Sequence, residues 1–182
     1  MVFPTKRVTA RKLAQMAILL AVSLVLNYLE SLFPFFVLLP GCKLGIANVV
    51  TLLAYSHFGA GFALLLGLLR SFLGAVFAGN LSAILYSGAG TVLSLAAMQT
   101  SRHLFADRVS MIGRSMLGAA FFNVGQVAVC ALVLSNAYVF LYLPLLLFIA
   151  PFCGLFTGMI AQRIGGSVSF ETIQNGSMSW KR

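Results

Sequence analysis

The chain has 182 residues, 60% of them hydrophobic and only 8% charged, with a formal net charge of +9 and a mean hydropathy of +1.01. A soluble domain carries about 25% charged residues, so there are too few charges here to cover a water-exposed surface; an integral membrane protein is expected. The surplus of positive charge does not point to nucleic acid, because basic residues that flank apolar spans are held on the cytoplasmic side of a membrane.

Lys6, Arg7, Arg11 and Lys12 precede the first apolar run, Leu13 to Leu29. A secretory signal has a shorter apolar core and a small-residue cleavage site. This run is longer and ends in Asn27, Tyr28 and Glu30 without an A-x-A site, so it reads as a retained first span, 12–31. Further spans follow at 45–57, 60–78, 80–99, 113–135 and 138–162. The expectation is an all-α bundle of about six transmembrane helices over residues 12–163. A cytoplasmic N-terminus (1–11) precedes it and a polar cytoplasmic tail (164–182) follows. The second span holds about a dozen residues, fewer than the roughly 20 that cross a bilayer. It is therefore tilted, re-entrant, packed inside the bundle, or continuous with the third through the His57–Gly61 turn. With the N-terminus inside, ten of the twelve Lys and Arg fall on the inner side, Lys43 on the outer side and Arg70 within the third span. That bias puts both termini in the cytoplasm.

The loop between the first two spans contains "PGCKLG", residues 40–45, whose Lys43 breaks the positive-inside pattern. Arg70 lies mid-span in "LLGLLRSFLGAVF". A charge there costs roughly 2.5–3.5 kcal/mol on insertion scales, so it faces a partner or a cavity. Glu30, Lys43 and Arg70 all fall in the outer half. Either Glu30 neutralises Arg70, or Arg70 snorkels, or the three form a pocket whose surplus positive charge suits a phosphate or carboxylate. Asn48 sits just past the glycine-flanked Lys43, and Asn123 and Gln126 share a helical face at i, i+3. These amides either bond between helices or line the ligand cavity. Gly154 and Gly158 form a G-x-x-x-G pair, and Ser87, Gly88, Gly90 and Ser94 a second small-residue stripe, both suited to close helix packing. Ala10, Ala14, Ala17 and Ala21 make a third stripe, on the first span, which packs inside the bundle or docks a second membrane protein.

The carboxylates are Glu30, Asp107 and Glu171, too few and too scattered to hold Mg²⁺ around a diphosphate. No P-loop, G-x-S-x-G or H-E-x-x-H is present. Cys42, Cys130 and Cys153 form no C-x-x-C pair, and with His57 and His103 as the two histidines neither a metal site nor a disulfide framework is readable. The chain is expected to be no enzyme and to need no cofactor. Any uphill transport would draw its energy from another subunit.

"NYLESLFPFF", "LPGCKLGIANVVTLLA", "LLRSFLGAVFAG", "LYSGAGTVLSLAAM" and "IGRSMLGAAFFNVGQV" together resemble the Gx transporter family, also labelled heptaprenyl diphosphate synthase component I. The resemblance covers about residues 8 to 163, and its most specific block is P-G-x-K-L-G-x-x-N followed by the intramembrane Arg. One departure is Phe122, where many members carry a His before the Asn. The family is similar to the substrate-binding (S) components of energy-coupling factor transporters, six-helix vitamin-capture proteins of the bacterial inner membrane. The resemblance implies a small-molecule substrate held near the outer face, under a lid formed by Pro40, Gly41 and Gly45; Lys43, Asn48, Arg70, Glu30, Asn123 and Gln126, the polar residues weighed above, are then the ones expected to bind it. It implies docking through Ala10, Ala14, Ala17 and Ala21 onto a transmembrane coupling subunit driven by two ATPase subunits. The ligand class would be a vitamin-like or prenyl/quinone-precursor-like compound. The alternative carried by the family's other label is a noncatalytic membrane partner of a soluble polyprenyl diphosphate synthase.

Overall fold

The computed structural model describes residues 10–32, 47–105 and 108–167. Six α-helices account for most of them: α1 (Ala10–Leu32), α2 (Asn48–Phe58), α3 (Ala60–Phe77), α4 (Ser82–Phe105), α5 (Met111–Val133) and α6 (Leu143–Ser167). A short 3-10 helix, Ala137–Tyr142, leads into α6. Among the described residues there is no strand.

Four stretches are long and apolar enough to cross a bilayer: Lys12–Leu29, Ala60–Phe77, Met111–Val133 and Ala137–Gly165. The chain is an integral membrane protein, but two of the six expected spans do not qualify by length and apolarity. With 11 residues, α2 rises about 16 Å, roughly half the hydrocarbon thickness. The 24 residues of α4 are long enough but carry Ser82, Thr91, Ser94, Gln99, Ser101 and Arg102. Packing seats both. Eight residues of α2 are buried, and α4 lies between α3 and α5.

The helices alternate in direction, as their contacts show. Asn48 at the start of α2 meets Arg70 late in α3; Ser71 late in α3 meets Ser87 early in α4. Tyr55 near the end of α2 meets Gln99 near the end of α4. Two ends result. One gathers the ends of α1, α3 and α5 with the starts of α2, α4 and α6. The other gathers Lys12, Arg102, Arg108, Arg114 and Arg163.

Helix boundaries follow local chemistry. Gly59 separates α2 from α3 with φ 91°, a conformation that strains any residue with a Cβ; α2 is therefore not continuous with α3. Ser110 caps α5, its Oγ accepting from the Gly113 N–H at 3.1 Å. The ladder of α4 runs past the apolar stretch to Phe105, where Gln99 and His103 pair at 2.9 Å across one turn.

Leu52, Leu53, Tyr55, Leu66, Leu95 and Met98 form the centre of the core. Large apolar residues such as Leu13, Ile18, Phe72 and Phe148 are exposed, as a lipid-facing surface requires. In lipid, apolar side chains gain little by leaving the solvent, so close backbone approach holds helices together. Gly154 and Gly158 bring α6 onto α5: a Cβ at Gly154 would stand 2.5 Å from the Met116 Cα, and one at Gly158 2.9 Å from the Ile112 Cα. Beside them Ser115 and Thr157 share a buried hydrogen bond of 2.8 Å. Gly90 abuts Phe122 in the same manner and joins α4 to α5.

Candidate ligand-binding site

Arg70 is the residue from which the site is built. It is 5% exposed, and its Nη2 donates to Asn48 Oδ1 at 2.9 Å. Asn48 can reach it because α2 starts where α3 is ending, and because the first residue of α2 points its side chain back along the helix toward its start. A charge-assisted bond of this kind is worth about 1.5–3 kcal/mol, comparable to the cost of inserting the arginine.

Arg70 also lines a cavity of about 540 Å³ at the end of the bundle opposite the basic cluster. Among the described residues, α1 contributes Asn27 and Tyr28, α3 contributes Arg70 and Ser71, and α4 contributes Ser87. Ser71 Oγ donates to the Gly67 carbonyl at 2.9 Å, which makes Ser87 the donor in the 2.9 Å contact between the two hydroxyls. Gly74 forms part of the wall; a Cβ there would approach Asn27 Nδ2 to 2.8 Å, so its absence lets α1 close on α3. The volume falls within the 300–1,000 Å³ range of small-molecule sites, and the mixture of an apolar wall with a few polar groups is what such sites contain.

A second, smaller cavity of about 40 Å³ lies deeper, among Asn48, Ser94, Ser115, Asn123 and Thr157. Its wall is largely apolar, with Leu52, Met98, Phe122 and Ile149, yet these polar groups give partners to the single water molecule it is large enough to hold. Asn48 belongs to both places, bonded to Arg70 and lining the inner cavity.

The structure thus bonds Asn48 to Arg70, with Arg70 on the wall of the large cavity, and brings Asn48 and Asn123 together at the smaller one, whereas Gln126 lines neither. Asn123 Nδ2 donates to the Leu146 carbonyl at 3.2 Å, next to the stretch of α6 that Pro151 interrupts; proline has no N–H for the carbonyl four residues earlier. Gln126 is buried, with no hydrogen-bond partner for its Oε1. Lys43, Pro40, Gly41 and Gly45 lie outside the described residues, as does the side chain of Glu30. Ala10, Ala14, Ala17 and Ala21 are all exposed along α1. Asn27, Tyr28, Ser71 and Ser87 were not singled out as binding residues by the sequence. Asn27 and Tyr28 read there as the end of a span and Ser87 as part of a packing stripe; their shared signal is a polar group one or two turns from the same end of three different helices.

No group of three or more His, Cys, Asp or Glu that could hold a metal occurs among the described residues. The family model described as heptaprenyl diphosphate synthase component I matches residues 19–164. The chain belongs to that family. The match takes in all of α2 to α5 and most of α1 and α6, and so every described residue of both cavities. No curated protein and no solved structure matches the chain. The family's description names one component of a synthase.

Proposed function

We propose that this family member is a membrane-embedded capture subunit of an energy-coupling factor type importer. Its ligand is a small compound with an anionic group, bound in the 540 Å³ cavity. The observation that carries this reading is Arg70: a buried cation, fixed by Asn48, on the wall of a cavity large enough for a small molecule. A guanidinium held in place meets a carboxylate or phosphate in a fixed fork geometry, and surrounding apolar walls strengthen that attraction.

The basic end faces the cytoplasm of a bacterial inner membrane in this reading, and the cavity opens toward the outside. The ligand enters, the 33–46 segment with Pro40, Gly41, Lys43 and Gly45 closes over it, and Lys43 and Glu30 complete the charge balance around Arg70. The exposed Ala10, Ala14, Ala17 and Ala21 face then meets a transmembrane coupling subunit, and two ATPase subunits supply the energy to tip the bundle and release the ligand inside. The test is native mass spectrometry of the chain purified in lipid from its own host. A small co-purified mass, lost in Lys43→Ala and Arg70→Ala variants that still fold, is the expected result. A mass retained by both variants would place the site elsewhere.

The family's description favours a second reading, a noncatalytic membrane partner of a soluble polyprenyl diphosphate synthase. In that case the basic segment from Ser101 to Arg114 holds the enzyme at the cytoplasmic face. Co-purification of a synthase, abolished by substitutions at Arg102 and Arg108, with no bound small molecule, would select it.

A further inference from the structure

We infer that the ligand of the 540 Å³ cavity is an amphiphile, with an anionic headgroup at Arg70 and an apolar chain that leaves sideways into the bilayer between α1 and α4. The inference rests on the reading of this cavity as the capture site and specifies what it captures. It starts from how the helices stand. Among the described residues α1 packs on α2 and α3, and α4 packs on α3 and α5, whereas α1 and α4 barely meet. The cavity fills that cleft, with α3 as its floor.

Its lining is divided. Arg70 and Ser71 are both 5% exposed, deep in the floor, with Ser87 bonded to Ser71. Val25, Tyr28 and Phe77 line the same cavity yet are 58%, 64% and 75% exposed. Val25 lies inside the Lys12–Leu29 stretch that is apolar enough to cross the bilayer, so this part of the rim stands at the depth of lipid tails. A site for a wholly water-soluble anion needs polar contacts all round, since burying unsatisfied polar groups is costly. Among the described residues, the floor supplies a cation and hydroxyls, and the rim supplies Leu24, Val25 and Phe77, with Asn27 and Tyr28 as its polar members. A molecule with one charged end and one apolar end satisfies both.

The test uses the full chain in phosphatidylcholine nanodiscs and reads the midpoint of thermal unfolding against three probes: decyl phosphate, butyl phosphate and decanol. Ligand that binds only the folded state raises the midpoint by an amount that grows with the logarithm of its concentration above Kd. Decyl phosphate is expected to raise it while the other two do not, with apparent affinity at least tenfold weaker in Arg70→Gln and in Val25→Trp. The second variant fills the mouth from an exposed position and keeps the test decisive if the first fails to fold. Butyl phosphate acting as strongly as decyl phosphate, and losing its effect in Arg70→Gln, would overturn the amphiphile while leaving the capture reading intact. Decyl phosphate acting equally on wild type and Val25→Trp would overturn the lateral mouth. No response to any probe, together with an empty native mass spectrum, would overturn both.

Discussion

At the scale of single residues, the Arg70–Asn48 pair ties the site to the fold. Asn48→Ala removes one acceptor from a buried guanidinium and is expected to destabilise the protein by about 1.5–3 kcal/mol. Replacing both partners, as in Asn48→Leu with Arg70→Met, is expected to cost less than the sum of the single changes, because neither partner is left with a bond unmade. Unfolding in mixed micelles measures the cycle; strict additivity would show that the 2.9 Å contact contributes nothing. Gln126 behaves differently. Its Oε1 is buried with no partner, so Gln126→Met is expected to leave stability unchanged or raise it. A loss of more than about 1 kcal/mol would contradict the geometry. Arg70 was legible in the sequence because a lone charge in an apolar run needs an explanation. Asn48 was legible because it followed a glycine-flanked lysine. Asn27, Ser71 and Ser87 were not, because a short polar side chain in a membrane helix serves packing and binding equally well. Only the meeting of three helix ends shows that the three line one cavity.

At the scale of helices, packing and local bonds decide what hydropathy leaves open. The six apolar runs correspond to the six helices of the structure, yet α2 holds its place through its neighbours, with eight of its 11 residues buried. The α4 ladder continues past its apolar run because Gln99 and His103 support its last turns; α5 begins at Met111 because Ser110 caps it. These side-chain bonds carry no hydropathy signal, which is why the boundaries shift from the expected 99 and 113. The glycines give a prediction at this scale. Gly154→Ala places a Cβ against the α5 backbone and is expected to destabilise by about 1–3 kcal/mol. Gly61→Ala meets nothing within 4 Å and is expected to be neutral or to stabilise by up to about 1 kcal/mol. Equal effects at the two positions would show that the α5–α6 contact is looser than described.

At the scale of the whole molecule, the two ends differ in kind. One holds five described Lys and Arg residues and the other the cavity, a polarity that the sequence already displayed as a charge bias. In a background lacking Cys42, Cys130 and Cys153, a cysteine at Asn80, exposed at the turn between α3 and α4, is expected to react with an impermeant maleimide on intact cells. One at Arg108 is expected to react only after permeabilisation. The reverse pattern would invert the topology and turn the cavity toward the cytoplasm.

The shortness and burial of α2 constrain how the protein is made. As the ribosome delivers the chain, α1 and α3 each carry enough apolar length to enter the bilayer alone, whereas α2 does not. The surfaces that receive α2 on α4 and α6 are synthesised afterwards. Tyr55 therefore waits for Gln99, and Leu53 for the end of α6 near Gly165. Chains cut short after α3 would leave α2 packed on α1 and α3 but open on the side that α4 and α6 cover, so its seat is complete only once α6 has been made.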